Sequence, residues 1–345
     1  MTDRPSRPPH DHTTSLTAGF TFGPGRGLVF AYALLPDGGV RELGLREAEE
    51  ALASKRLPVW LHLDVTSMLA KTWVEAQPLF PPIAREMLVT HETRTQVHHC
   101  EGALTGVLCD FHHELDDIDW RINTMHFYAD AQCLITSRRH ALAAVERTQS
   151  ELLAGAKAFG GITLLAAILE SLGDLMDGAA EDIGRALEHA EDRIETDPAE
   201  GRAMLADARK QAILFHRHLT AERRVIARLG ARSPDWFSTH DQAAMQAAIE
   251  HLGATADDLE TLQVRARLIQ DEIAARLAEN TNRNLYVLSV VSAILLPMTL
   301  ISGIYGMNLG GLPGVDSPWG FWAGLGEIGA VGLVTLIILR ATRIL

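Results

Sequence analysis

The sequence predicts an α+β cytoplasmic domain that continues through a long helical stalk into two transmembrane helices. Short apolar runs alternate with helical stretches in the first part of the chain, and a helical apolar spacing then replaces them. Two long apolar runs come last. The predicted divisions are a disordered tail at 1–14, an α/β domain at 15–140, a helical bundle and stalk at 141–284, and a transmembrane hairpin at 285–345.

The composition excludes several function classes. A net charge of -13 argues against a nucleic-acid partner, because phosphate contacts need clustered lysine and arginine. Three irregularly spaced cysteines, Cys100, Cys109 and Cys133, favour a reducing compartment over a disulfide framework. We find no nucleophile constellation, phosphate loop or dinucleotide fingerprint, so we expect neither an enzyme nor a bound cofactor.

The α/β part predicts a mixed sheet with helices between its strands. Apolar and β-branched runs indicate strands, and amphipathic spacing between them indicates helices. Strands are expected at Gly27–Leu35, Val59–Leu63, Asn123–Tyr128 and Gln132–Thr136, helices at Leu45–Ser54 and Pro82–Leu88, and a hairpin at Gln96–His113 that turns near Glu101-Gly102.

The helical part begins with leucines at helical spacing, from Leu165 onward. Asp197-Pro198 predicts a break in which Asp197 caps the next helix and Pro198 occupies its first position. Met204–Leu229 forms this next helix. The last helix starts near Thr239 and is expected to continue without a break into the membrane.

Two segments are long and apolar enough to cross a bilayer. Residues 285–304 form a run of 20 residues without a charge, and 321–339 form a second run that contains Glu327. Arg283 precedes the first run and Arg340 follows the second, whereas the 12-residue loop between 309 and 320 has no lysine or arginine. The positive-inside rule therefore places both termini in the cytoplasm and the loop outside.

Two helices cannot enclose a water-filled path, so conduction would require several copies around an axis. One face of the last helix is small and polar compared with its flanks. Spacing alone leaves two interpretations open, which are a pore lining with leucine constrictions and a surface for close helix packing. We name this face the polar stripe; it comprises Asp271, Ala275, Ala278, Asn282, Leu285, Ser289, Ser292, Leu296, Thr299 and Gly303.

Glu327 is an acidic residue within the second span. Such a residue is costly in a membrane and is a functional candidate by default, although it could also face the helix interface or reach the outer surface. We consider it a candidate for carrying protons.

The first span ends in a recognisable signature. Pro297-Met298-Thr299 followed by Gly303-Ile304-Tyr305-Gly306-Met307-Asn308 resembles the signature of the CorA family of divalent-metal transporters. The glycine-rich residues 308–314 and Trp60-Leu61-His62-Leu63 are similar to the ZntB zinc-transport branch of that family. Met307 departs from this pattern, because methionine at its position is typical of the magnesium branch.

The resemblance implies a homopentameric funnel in a bacterial inner membrane, with both termini in the cytoplasm. Gly306 and Asn308 would capture a hydrated cation at the outer ring, beside Met307. Thr299 and Asn282 match polar rings further along, and Asp271 matches an acidic position near the inner mouth. The implied partners are other copies of the chain, the lipid bilayer, metal ions and protons.

The substrate implied by the resemblance is zinc, taken up together with protons through Glu327 or a histidine. An alternative is a passive channel for magnesium, cobalt or nickel, and cadmium is a further possible cargo. A two-span sensor or scaffold is an alternative from another class, but a 12-residue external loop offers no ligand domain.

His98-His99-Cys100 and Cys109-Asp110-Phe111-His112-His113 contain zinc-ligand residue types. Adjacent strand residues point to opposite faces, and the spacing matches no standard zinc motif. A polar strand face without metal is therefore the preferred interpretation.

Overall fold

The computed structural model describes residues 26–100, 102–113, 120–231, 233–307 and 317–342. The chain divides into two compact units, Met1–Ala266 and Arg267–Leu345. The predicted tail at 1–14, Asn308 and most of the loop that follows it lie outside the described residues. The predicted division at residue 140 stays a prediction.

Seven strands and eight helices make up the described part of the chain. The strands are β1 (Leu28–Leu34), β2 (Val40–Glu42), β3 (Val59–Asp64), β4 (Gln96–Cys100), β5 (Ala103–His113), β6 (Trp120–Asp130) and β7 (Cys133–Arg138). The helices are α1 (Leu45–Ser54), α2 (Met68–Ala76), α3 (Pro82–Val89), α4 (Ala143–Leu153), α5 (Gly161–Thr196), α6 (Pro198–Ala231), α7 (Thr239–Tyr305) and α8 (Gly320–Ala341).

The seven strands form one mixed sheet in the order β2-β1-β3-β7-β6-β5-β4. The central pair β3 and β7 is parallel, and every other neighbouring pair in this order is antiparallel. Gly102 has a φ of 70° in the turn between β4 and β5, a conformation that favours glycine. This turn confirms the predicted hairpin.

Both faces of the sheet are covered. Leu61, Leu63 and Ile135 belong to a buried core that also contains side chains of α1, α2 and α3. The alternate residues of β3, Trp60 and His62, point to the opposite face and are fully buried. Burial on both faces explains why β3 is apolar almost throughout instead of alternating.

A small polar group lies within this second face. The Trp60 indole Nε1 donates a hydrogen bond to Thr136 Oγ1 over 3.1 Å, and His62 Nδ1 lies 2.7 Å from the same oxygen. The His62 ring stacks on Phe30 with 5.0 Å between ring centroids. Burial, and then the nearby Arg138, lower the pKa of His62 to about 3. His62 is therefore a neutral residue of the core.

Helices α5, α6 and the first part of α7 pack together through buried apolar side chains, including Leu187, Leu219 and Leu252. Asp197 caps α6, because its Oδ1 accepts hydrogen bonds from the Ala199 and Glu200 amides. This confirms the predicted break and cap.

The fold confirms the predicted α+β part, long helix and apolar helix pair, but three elements were not predicted. Strand β2 has three residues, too few for a periodic pattern. Helix α2 has nine residues but no side-chain cap and no acidic residue in its first turn, whereas the predicted helix α3 begins with proline. Helix α4 depends on a distant cap, because both Asp110 carboxylate oxygens on β5 lie 3.1 Å from the Ala144 amide.

Replacing His62 with phenylalanine should reduce the acid sensitivity of the protein. A folded-state pKa below the unfolded value means that stability is fully present above about pH 6.5 and is lost as the pH falls toward 3. This group contributes a slope of up to about 1.4 kcal/mol per pH unit within that window. Thermal unfolding in detergent between pH 4 and 7 measures it.

His99→Phe is the matched control, because His99 is exposed on β4. It should retain the wild-type pH dependence. An identical slope for His62→Phe and wild type would show that His62 is not buried in a neutral form.

Candidate cation pathway

Two helices expose a long apolar surface. The most apolar 18-residue window of α7 is 0% buried, and that of α8 is 6% buried. Both windows lie at the C-terminal end of the chain, which distinguishes them from a signal sequence. A soluble protein rarely leaves surfaces of this size in water, so the observation supports two membrane-spanning helices.

One face of α7 packs on α8 within the second unit. A Cβ atom added to Gly332 would lie 3.0 Å from the Met298 sulfur. Pro297 and Ile301 on this part of α7 are half-buried. A glycine at 332 therefore lets the two helices approach closely, as small residues do in membranes.

The polar stripe lies mainly outside this contact. Leu285 and Leu296 are 56% and 68% exposed, and Ser289 and Thr299 are also exposed. A Cβ at Gly303 would have nothing within 4 Å among the described residues. Ser292 differs because it is half-buried. Most of the stripe is thus free to face an axis or another copy of the chain.

Thr299 is positioned by the helix itself. Its hydroxyl donates to the Leu295 carbonyl over 2.7 Å, one turn earlier. Pro297 lies between these residues and has no amide hydrogen, so the carbonyl four residues before it loses its helical partner. This part of the stripe therefore combines a hydroxyl oxygen with backbone that is less fully hydrogen-bonded.

Helix α7 ends at the signature. The Gly306 amide donates to the Ser302 carbonyl over 3.0 Å, and the Met307 amide donates to the Ile304 carbonyl over 3.2 Å. Met307 is 49% exposed. The carboxyl end of a helix carries partial negative charge, which attracts cations. Asn308, the remaining predicted member, lies outside the described residues.

The structure joins two residues that the sequence left apart. The Tyr305 hydroxyl donates to Glu327 Oε2 over 2.8 Å. The Tyr305 ring would lie 3.8 Å from a Cβ at Gly324, which is buried. The acidic residue of the second span is therefore hydrogen-bonded to the end of the first, a relation that no local sequence pattern reveals.

The two residues predicted to lie at the cytoplasmic side are also on α7. Asp271 and Asn282 are both exposed, and both belong to the unit Arg267–Leu345. Neither is covered by described side chains, so each is available to a neighbouring copy or to a cation.

The described members of the two histidine and cysteine groups lie on different strand pairs. His98 pairs with Thr105 and Cys100 with Ala103, whereas Cys109 pairs with Thr124 on the other neighbouring strand. The side chains of His112 and His113 are not described. The interpretation of these residues as a polar strand face that binds no metal therefore stays a prediction.

Among the described residues, one group of three ligand-type side chains has all its ligand atoms within 4.8 Å, namely Asp174, Asp177 and His251. Neighbours already satisfy this group. His251 Nε2 lies 2.9 Å from Asp177 Oδ2, the Thr255 hydroxyl donates to Asp177 Oδ1 over 2.7 Å, and Arg147 donates to Asp174 over 2.6 Å. We interpret it as a hydrogen-bonded network that joins α4, α5 and α7.

A family model described as CorA-like Mg2+ transporter protein matches residues 57–340. The chain belongs to this family. A zinc transport protein ZntB of Klebsiella pneumoniae is 30% identical over 294 residues, which cover 85% of this chain and 88% of that protein.

Solved structures agree with the membership in this family. The full-length CmaX protein superposes with a TM-score of 0.77 at 25% identity, covering 93% of this chain and 99% of that one. The CorA magnesium transporter of Methanocaldococcus jannaschii has a TM-score of 0.74 at 17% identity, covering 90% and 96%. The second likeness shows the fold alone.

The Tyr305–Glu327 hydrogen bond should hold the end of α7 to α8. Tyr305→Phe and Glu327→Ala should each lower the melting temperature in detergent, because each removes one partner. The melting temperature of the double variant should equal that of the less stable single variant, because both changes remove the same hydrogen bond. Additive losses would contradict this coupling. Glu327→Gln retains an acceptor oxygen and should remain close to wild type.

Proposed function

We propose that the protein transports divalent cations, with zinc as its cargo, through a pore made by several copies of α7. The uncovered polar stripe on a membrane-crossing helix that ends in the family signature carries this proposal. The family description and the printed name of the Klebsiella relative support metal transport and the choice of zinc.

A homopentamer is the assembly we propose. Helices α7 and α8 of one chain cannot enclose water, and most of the stripe is not used for packing within the chain. Closed cyclic symmetry places the same stripe of each copy around one axis. In such a ring, each polar position of the stripe is repeated once per copy, so several oxygens surround the axis at the same depth in the membrane.

The proposed path begins outside at Gly306 and Asn308. Their backbone and amide oxygens would attract a hydrated cation without removing its water, helped by the negative ends of several α7 helices. Thr299, Ser292 and Ser289 would then offer hydroxyl groups. Leu296 and Leu285 would form apolar constrictions that close when water leaves them. Asn282 and Asp271 would meet the cation at the cytoplasmic side.

We assign proton coupling to Glu327. Its carboxylate lies 2.8 Å from the Tyr305 hydroxyl, adjacent to the signature glycine. A change in its protonation would therefore change a contact at the outer end of α7. This gives a physical route by which a proton could influence cation entry.

A passive magnesium channel is the second candidate. Met307 favours it, because methionine at this position resembles the magnesium branch, and the family description names Mg2+. The loop at 308–314 is glycine-rich and resembles the zinc branch instead. The two candidates differ in cation and in dependence on a proton gradient.

Reconstitution in liposomes tests the transport proposal. Vesicles containing a zinc-sensitive dye should brighten when zinc is added outside, and Asn308→Ala should slow entry by about tenfold, as expected for a loss of about 1.4 kcal/mol. Glu195→Gln, an exposed change on α5, is the control with wild-type entry. Equal entry in empty and protein-containing vesicles would overturn the proposal.

A proton gradient distinguishes the two candidates. Acid outside should accelerate zinc entry through the wild-type protein, and Glu327→Gln should remove this acceleration while retaining the hydrogen bond to Tyr305. A gradient-independent flux of magnesium that exceeds that of zinc would instead establish the passive channel.

A further inference from the structure

Glu222 on α6 is fully buried, with 0% of its surface exposed. Its Oε2 accepts a hydrogen bond from the Cys109 amide over 3.2 Å. Its Oε1 has no hydrogen-bond partner among the described residues. A buried carboxylate oxygen without a partner is costly, so this position indicates a missing proton, water or cation.

A cysteine and a histidine lie beside this carboxylate. Cys109 is buried on β5, and its Sγ is 3.6 Å from His218 Nδ1. The Thr95 hydroxyl is 3.1 Å from the same sulfur. His218 and Glu222 are four residues apart on α6, so they lie on one face of that helix.

The sulfur-to-nitrogen contact is a hydrogen bond in this structure, and its length also fits two ligands of one zinc ion. Zinc binds cysteine sulfur at about 2.3 Å and histidine nitrogen at about 2.0–2.1 Å with tetrahedral angles, which places the two ligand atoms about 3.6 Å apart. The separation of Cys109 Sγ and His218 Nδ1 is 3.6 Å. Two ligand positions are therefore already spaced for one ion.

Without a cation, burial keeps both acidic groups of the site protonated. Burial, and then the Glu222 carboxylate, raise the pKa of Cys109 to about 12. Burial, and then Asp110, raise the pKa of Glu222 well above its usual range. A divalent cation would neutralise one thiolate and one carboxylate, with neutral histidine as the third ligand.

We propose that Cys109, His218 and Glu222 bind one zinc-class cation in the unit Met1–Ala266, joining β5 to α6. The three side chains do not have all their ligand atoms within 4.8 Å, so the Glu222 carboxylate must turn toward the ion when it binds. Binding releases the thiol and carboxyl protons to water. The thiolate selects zinc or cobalt over magnesium.

Arg217 opposes binding in the present arrangement. Its Nη2 lies 3.2 Å from His218 Nε2, which must carry the proton when Nδ1 binds a metal. Arg217 is exposed and can withdraw. Replacing Arg217 with alanine should therefore strengthen cation binding. If Cys109, His218 and Glu222 only pack together, this change has no effect on cation binding.

Cobalt spectroscopy on the tag-free, full-length protein in detergent tests the proposal. Added Co²⁺ should produce an intense thiolate-to-cobalt charge-transfer band and tetrahedral ligand-field bands, which zinc abolishes and magnesium does not. Cys109→Ser should lose the charge-transfer band. Cys133→Ser, a change at another buried cysteine, should retain it.

Folding is checked by circular dichroism and melting temperature in each variant. Glu222→Gln and His218→Gln should weaken cobalt affinity at least tenfold, and Arg217→Ala should increase it. Absence of the band in wild type, or its persistence in Cys109→Ser, overturns the proposal. The readout is absorption rather than transport, so this outcome is independent of the transport measurements.

Discussion

The uncovered apolar surface of α7 and α8 is the constraint on which the rest of the molecule depends. The most apolar 18-residue window of α7 contains no fully buried residue, and exposing this apolar surface to water would cost free energy. A bilayer removes this cost, and it then requires every backbone polar group in the span to be satisfied internally, which a helix does. The stripe of hydroxyl and glycine positions on the same helix is the exception to its apolar surface. Such positions are best accommodated facing water or other copies of the chain.

In the unit that contains the sheet, the constraint is on buried polar groups instead of exposed apolar ones. Its sheet is covered on both faces, so polar side chains inside it must find partners or remain neutral. Thr136 satisfies Trp60 and one nitrogen of His62. Asp110 accepts a hydrogen bond from the Ala144 amide in the first turn of α4. Among the described residues, His62 Nε2, Arg139 Nε and Glu222 Oε1 are buried without a hydrogen-bond partner, and Glu222 is an exception of interest because it lies beside a thiol and an imidazole. The site inferred there follows from this exception.

Most of the fold could be predicted from local patterns. Apolar runs gave the position of β3 and β7, Asp197-Pro198 gave the break between α5 and α6, and the charge-free run gave the first span. Elements that depend on distant residues could not be predicted in this way. Helix α4 is capped by Asp110 from another part of the chain, and its own sequence has no side-chain cap.

The same limit applies to the sites. The stripe on α7 could be predicted because helical spacing places its members on one face. The Tyr305–Glu327 bond joins residues 22 apart, and the Cys109–His218 contact joins residues 109 apart. The sequence grouped Cys109 with nearby histidines, whereas its partner comes from α6. Pairing across such separations is set by packing, which a single sequence does not contain.

A scan of thiol accessibility along α7 tests the central claim most directly. Single cysteines would be introduced from 285 to 303 in the full-length protein in liposomes, and modification by a membrane-impermeant thiol reagent would be measured with the wild-type cysteines as background. The account predicts modification and blocked zinc entry for Ser289→Cys, Leu296→Cys and Thr299→Cys, with protection of Met298→Cys and Ile301→Cys on the face toward α8. Modification that follows the α8-facing positions, or that shows no helical period, would contradict the account.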